Sequence, residues 1–391
     1  MVAQPNPSNN GTLGDLIAQK IAESSCHRIT FSEFMELALY HPQHGYYATR
    51  GSVIGVKGDF FTSPHLESDF GELLAEQFVQ MWEILQRPAK FTLVEMGAGQ
   101  GLLATDILRD LQQKHPEFCA SLEYLIIERA APLIAEQRRQ LQRFENIKID
   151  WKSWEDLNAN SVTGCFFSNE LVDALPVHLW TIADGRLQEI YVTVQDSQFR
   201  EVLAEPSTPA LSQYLDRAGV KLDAYADRYR SEVNLAALDW ISTVADRLQQ
   251  GYVLTIDYGY THDRYYHPAR SEGTLQCYYR HAHHSDPYIH VGQQDITAHV
   301  DFTALQQQGE QSGLQTVGFT QQGLFLMALG LGDRMAAIRD FNATTPEAVQ
   351  AVLRRRDALH QLASPLGLGS FGVLVQSKGV ETAITLKGLR Q

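Results

Sequence analysis

Three glycines at alternate positions, Gly97, Gly99 and Gly101, stand between the apolar run Phe91–Met96 and a stripe of Leu103, Ile107, Leu108 and Leu111. The run is short enough for a buried strand, and the stripe has helical spacing. Glycine lets the backbone turn sharply between the two and admits a ligand close to the chain without interference from a Cβ. A helix opening behind such a turn presents free N–H groups to whatever lies in front of it. The feature therefore demands strand, tight turn and helix, and it makes residues 95–101 a candidate ligand loop.

The same alternation continues along the chain. Residues 124–128, 147–150 and 164–169 read as strands and 132–144 as a helix. Upstream, Phe70, Leu73, Leu74, Phe78, Met81, Trp82 and Leu85 make a helical stripe that Ser68 or Asp69 can cap. Alternating strands and helices predict an α/β chain with a Rossmann-like parallel sheet and helices on both faces. The 391 residues accommodate this core with additions. Residues 1–12, rich in Asn, Pro, Ser and Gly, read as a flexible tail, and 13–64 as an N-terminal helical and loop segment. The core is expected over 65–176 and 234–391. Period-two stretches around Asp184-Gly185 mark 177–233 as an inserted β-rich subdomain. The core resumes with a helix over 234–248 and a strand over 252–258. Residues 260–300 show no clear period, and late strands at 314–320 and 371–376 bracket a helical insertion at about 325–363.

Composition removes several classes of function. A net charge of −14 repels phosphate backbones, so no nucleic-acid partner is expected. The one short basic run, Arg354-Arg355-Arg356, lies in a helical stretch and reads as a solvated face. No apolar run is long enough to insert in a membrane. The N-terminal residues carry neither an apolar signal core nor a transit-peptide pattern, so a cytoplasmic bacterial protein is expected. Cys26, Cys119, Cys165 and Cys277 are far apart and read as reduced and mostly buried. His262, His267, His281, His283, His284 and His290 match no standard zinc spacing, so no metal is expected.

The loop itself discriminates between ligands. A dinucleotide fingerprint leaves two residues between its second and third glycines, whereas Gly99 and Gly101 are separated by one, and Glu95 precedes the first. That pattern favours S-adenosyl-L-methionine, which has no pyrophosphate and presents a cationic centre that Glu95 can face. Glu128, closing the second strand, is placed to accept the ribose hydroxyls, because neighbouring strands end at one edge. Asp150-Trp151 and Trp154 are candidates for the adenine slot, with core closure as the equal alternative. Ser168-Asn169-Glu170 ends the fourth strand and runs into Asp173, so Glu170 and Asp173 are candidate contacts to a methyl acceptor.

The run 58–64, Phe70-Gly71-Glu72-Leu73, the 95–101 loop with Asp106-Ile107-Leu108-Arg109, and Asn169-Glu170 through Asp173-Ala174-Leu175-Pro176 together resemble the MidA-like methyltransferase family. Asp257-Tyr258-Gly259, Gly273-Thr274-Leu275 with Tyr279 and His281, and the segment 295–302 extend the resemblance over nearly the whole chain. It implies a class I methyltransferase sheet and S-adenosyl-L-methionine as cofactor. Its mitochondrial members are protein arginine methyltransferases that assist assembly of respiratory complex I. A protein substrate presenting an arginine is therefore implied, plausibly on a respiratory-type subunit.

Within the resemblance Asp59 becomes a contact to cofactor or acceptor, Thr62 and Pro64 join the cofactor side, and His281 and His299 line the acceptor side. A guanidinium needs carboxylates that orient its planar fork, and Asp59, Glu67, Glu72 and Glu170 are available. The family usually shows Gly-Pro-Gly-Arg-Gly where this chain has Gly97-Ala98-Gly99-Gln100-Gly101, a change that keeps all three glycines. It usually has a glutamate where this chain has His65, and Glu67 is close enough to substitute. A small-molecule methyltransferase and a non-catalytic assembly factor that retains cofactor binding stay open as alternatives.

Overall fold

The computed structural model of the chain describes residues 11–50, 63–280, 282–339, 345–381 and 384–390. Its centre is a seven-stranded sheet. In chain order the strands are β1 (Phe91–Met96), β2 (Leu122–Ile127), β3 (Lys148–Lys152), β4 (Val162–Asn169), β5 (Leu248–Asp257), β6 (Gln315–Gln321) and β7 (Gly372–Lys378). They lie side by side as β6-β7-β5-β4-β1-β2-β3. Every residue of β1 and β2 is buried. This is why they read as continuous apolar runs rather than alternating ones.

Helices cover both faces. On one face Asp69–Ile84 and Leu102–Lys114 pack Phe70, Leu74, Phe78, Ile107 and Leu108 against Leu93, Tyr124 and Phe167. On the other, Leu235–Arg247 and Phe302–Gln311 pack Ile241, Val244, Phe302 and Leu305 against Val94, Phe166 and Val253. Strands β5, β4, β1, β2 and β3 pair in parallel, as the alternation predicts. The departure is β7, which runs antiparallel between β5 and β6. It is reached through the late helices, now seen as Gln322–Ala328, Leu331–Arg339 and Pro346–Ala363.

The 177–233 segment does hold three consecutive antiparallel strands, His178–Ala183, Arg186–Gln195 and Gln198–Ala204. It adds a fourth strand, Arg230–Val233, paired with the first of them, and the helix Pro209–Arg217, capped by Thr208. It is not separate from the N-terminal segment. Ile29 and Thr30 pair with Val192 and Tyr191 of its middle strand. Leu13, Ile17, Phe31 and Phe34 share one core with Leu179, Ile190 and Val192. In the stretch without a period in the sequence, Gln276–Tyr279, Ala282–His284 and Asp295–Thr297 form a three-stranded antiparallel sheet whose Ile296 and Cys277 enter the same core.

Neither Ser68 nor Asp69 caps the Asp69–Ile84 helix through its side chain. Ser68 donates to Glu72 instead, and Asp69, 1 % exposed, accepts from Arg334 and Arg355 at 2.7–2.8 Å. Glu72 also accepts from Arg334. The late helices are thus clamped to the core helix by a buried acid with two guanidinium partners. Arg355 serves this clamp and is not merely part of a solvated face. Cys165 and Cys277 are buried and Cys26 is exposed, all without disulfides. Among the described residues no helix is long and apolar enough to cross a membrane.

Candidate functional site

The sheet reverses direction of travel between β1 and β4, and in open α/β sheets ligands bind at the C-terminal ends of the strands flanking that point. Register fixes what stands there. Met96 pairs with Ile127 on one side and with Ser168 on the other. Gly97 therefore has Glu128 and Asn169 as its neighbours across the sheet edge, and its N–H donates to Ile127 O at 3.0 Å.

The glycine loop crosses this edge in left-handed conformations, with φ of +70°, +53° and +79° at Gly97, Gly99 and Gly101. A side chain at Gly97 would strike Leu171 at 2.8 Å, whereas at Gly99 nothing lies within 4 Å. Gly99 faces open space, which is a cradle for a ligand rather than a packing constraint. Behind it the Leu102–Lys114 helix starts at Gly101 with no side-chain cap, leaving its first N–H groups directed at the cleft.

The cleft in front of the loop is open to solvent and is lined by Glu95, Ala98, Gly99, Glu128, Leu133, Asn169 and Glu170, with Tyr40, Tyr47, Pro64 and Arg129 around them. Glu95 is 3 % exposed and accepts the Tyr124 hydroxyl at 2.7 Å. Burial pushes its pKa up to about 7, with the Tyr124 bond opposing and Glu128 adding. Glu128 is held from behind: one oxygen accepts the N–H groups of Arg129 and Ala130 at 2.8 and 3.0 Å, and the other accepts Gln137 Nε2 at 3.2 Å. Burial raises its pKa, while those backbone bonds lower it.

On the far side, Glu170 occupies a left-handed backbone position at φ +52°, where only a few per cent of non-glycine residues are found. Its N–H donates to Ile256 O at 2.9 Å. Its carboxyl accepts Asn169 Nδ2 at 3.0 Å and Ser63 N at 3.4 Å. Burial and the charge of Asp173 push its pKa up to about 8, with those two bonds opposing. The turn that follows hangs on Asp257, whose carboxylate accepts the N–H groups of Leu171, Val172 and Asp173 at 3.2, 2.8 and 3.3 Å. Asp257 is buried beside Asp173 and Glu170, and its pKa rises well above the usual carboxylate range.

A second cleft of about 1470 Å³ meets the first at Glu170. Its lining adds Asp173, Tyr258, Tyr278, His283, Asp295 and His299, and its rim comes from Gln361, Ser364, Leu366 and Phe371 of the late insertion. Asp173 is 5 % exposed, and burial pushes its pKa up to about 6. Its Oδ1, like Asn169 Oδ1, has no hydrogen-bond partner among the described residues. Asp295 accepts the Tyr47 hydroxyl at 3.0 Å, and Tyr47 stacks on Tyr40. The two tyrosines form one wall of the first cleft, and Tyr47 reaches Asp295 in the lining of the second. His299 stacks on Tyr260, and burial pushes its pKa down to about 4, so it is neutral at ordinary pH.

Glu95, Gly97, Gly99, Glu128, Asn169 and Pro64 meet in the first cleft, and Glu170 stands where it joins the second, which holds Asp173. Gly101 supports the loop from its back, facing Gln137. Asp59, Thr62 and His281 lie outside the described residues. Three expected groups of residues stand outside the clefts. Asp150 and Trp151 do not line the cleft: Asp150 accepts the N–H of Trp151, and the indole turns to Gln137. Glu67 is exposed and lines neither cleft, while Glu72 is committed to Arg334. Missed altogether were Gln137, which an amphipathic helix pattern cannot distinguish from any surface glutamine, and the tyrosine pair, which no spacing rule marks. A further group, Glu76, Asp110 and His115, has ligand atoms within 4.8 Å of one another, but Lys114 and Lys387 already neighbour its acids.

The residues present fit S-adenosyl-L-methionine. Open space lies at Gly99, an anchored carboxylate stands at Glu128, free helix N–H groups are available for an α-carboxylate, and acids face a cationic centre. Comparison with known proteins agrees. A family model described as an S-adenosyl-L-methionine-dependent methyltransferase matches residues 73–320. The Drosophila melanogaster protein arginine methyltransferase NDUFAF7 homolog, mitochondrial, is 30 % identical over 82 % of this chain and 76 % of its own length. The Mus musculus protein arginine methyltransferase NDUFAF7, mitochondrial, is also 30 % identical, over 85 % of this chain and 77 % of its own. A Burkholderia thailandensis protein solved with S-adenosyl-homocysteine bound superposes with a TM-score of 0.84 at 29 % identity, covering 100 % of this chain and 98 % of that one. With a glycine cradle at the switch point of the sheet and these relatives across most of its length, the chain belongs to the S-adenosyl-L-methionine-dependent methyltransferase family.

Proposed function

We propose that this methyltransferase acts on an arginine side chain of a protein, on a respiratory-type subunit as the family resemblance implies. The observation that carries the reading is the meeting of the clefts at Glu170, where Glu170, Asp173 and Asp295 surround the acceptor side and Asp173 keeps an unpaired oxygen. A guanidinium offers five donors and no acceptor, so it matches a cleft rich in carboxylate acceptors.

When bound, S-adenosyl-L-methionine supplies a methyl group on cationic sulfur. The chain's own part is positioning. Asp257 sets the 171–173 turn, Glu170 and Asp173 orient the guanidinium fork, and the tyrosine wall excludes water from the junction. As the new C–N bond forms and the C–S bond breaks, the attacking nitrogen sheds a proton, which a deprotonated Glu170 can receive. Radiolabelled cofactor incubated with the purified protein and arginine-containing protein fractions should label arginine. Labelling of lysine, of no protein, or of small molecules alone would overturn the reading.

A further inference from the structure

Gln137 sits on the Ala131–Leu141 helix with no exposed surface. Its amide bonds three different parts of the cofactor cleft and its surroundings. Nε2 donates to Gly99 O at 2.8 Å and to Glu128 Oε2 at 3.2 Å, while Oε1 accepts Trp151 Nε1 at 2.8 Å. These contacts permit one orientation only. A flipped amide would set its oxygen against two acceptors and its NH₂ against the indole N–H, leaving all of them unpaired in a buried site. The helix backbone at Gln137 also lies 3.4 Å from where a Cβ on Gly101 would stand, so loop and helix are in close contact there.

We propose that Gln137 is a positioning residue that presets the spacing between the glycine loop and the Glu128 carboxylate. The Asp150-Trp151 segment then contributes to cofactor binding through this amide and not by touching the cofactor. The inference rests on the reading of the first cleft as the cofactor site. With both backbone N–H groups on one oxygen and Gln137 on the other, Glu128 presents its remaining lone pairs outward in one direction. Without the amide, Gly99 O and Glu128 Oε2 lose a common donor, and the carboxylate is held through one oxygen only.

The test is calorimetric titration of S-adenosyl-homocysteine into the wild type and into Gln137→Met, Gln137→Glu and Trp151→Phe, each checked by thermal melting. The wild type should bind. Gln137→Met should weaken binding at least tenfold, and Trp151→Phe, which frees the amide to rotate, severalfold. Gln137→Glu should bind worst at pH 8 and regain affinity as pH falls, because a proton on the new carboxyl restores a donor. A merely structural glutamine would show no such pH recovery. Wild-type binding with all three variants within twofold of it would overturn the positioning role and leave the cofactor site standing. Absence of wild-type binding would overturn both. Should Gln137→Met fail to fold, Trp151→Phe and the pH series decide alone: wild-type affinity and slope in those two would end the proposal.

Discussion

The two clefts are built in opposite ways. The cofactor cleft draws its polar contacts mainly from Glu95 to Gln137, two adjacent strands with the turns and helices that follow them. The second cleft gathers Glu170 and Asp173 from the fourth strand's turn, Tyr258 from the end of the fifth, Tyr278 and Asp295 from a small separate sheet, His299 from just beyond it, and its rim from the end of the last long helix and the segment that follows. One is a local product of strand–turn–helix geometry, common to any ligand site at such a switch point. The other is an assembly of additions whose mutual placement depends on packing far from the site. On the proposed reading, chemistry shared across a family sits on the first and the choice of acceptor on the second.

The sharpest break of that division is Gly99→Trp. Nothing lies within 4 Å of a side chain at this position. The indole should therefore fill the cleft and reduce cofactor affinity by more than about a hundredfold, with a cost in stability of only about 1 kcal/mol from the left-handed backbone. Calorimetry and a melting curve check both, and a large loss of stability would mean that the loop is packed rather than open. Asp173→Asn should act on the other cleft alone. Loss of a charge-assisted bond, worth about 1.5–3 kcal/mol, predicts a fall of roughly ten- to a hundredfold in kcat/KM for the acceptor with cofactor Kd unchanged. A parallel change in cofactor affinity would show that the clefts are not independent.

A pH series sharpens the junction. Burial raises Glu170 to about 8, Glu95 to about 7 and Asp173 to about 6, so the native chain keeps protons that the unfolded chain has released. Their contribution to stability is full below the unfolded carboxylate range and is lost as pH rises through those folded values. Differential scanning calorimetry of the free protein should show Tm falling from about pH 5 to about pH 9, and Glu170→Gln should flatten the upper part of the fall. An identical slope in the variant would assign the effect to other groups. The smallest expected effect is that of Arg355→Ala, which removes one of two guanidinium partners of buried Asp69. Half-exposed Arg355 makes this a loss of about 1 kcal/mol in urea unfolding. Because the clamp holds the insertion that rims the acceptor cleft, acceptor KM should rise severalfold while cofactor binding stays put.

What was legible in the sequence follows this division. Phe91–Met96, the glycines and the stripe from Leu103 announced a strand, turn and helix, and the structure has β1, the left-handed loop and the Leu102–Lys114 helix. Glu128 and Asn169 were readable because parallel strands end together, so a count along each strand places them. The orientation of Trp151 was not readable for a related reason. Position at a strand end is visible in sequence, but the direction in which its indole turns is set by Gln137, fourteen residues away on a neighbouring helix. Glu72 and Arg355 were taken for surface or acceptor-facing charges because their partnership spans 262 and 286 residues to Arg334 and Asp69.

By itself the sequence determined the strand and helix alternation from Phe91 to Asn169, the glycine cradle and the acid at the end of β2, since periodicity and backbone sterics act within a few residues of one another. Tertiary structure alone decided that β7 enters antiparallel, that the N-terminal segment joins the 177–204 strands in one sheet and core, and that Tyr47 of the first cleft meets Asp295 of the second, 248 residues away. Those choices depend on which buried faces and polar groups find partners once the chain is compact, and no local pattern records that pairing.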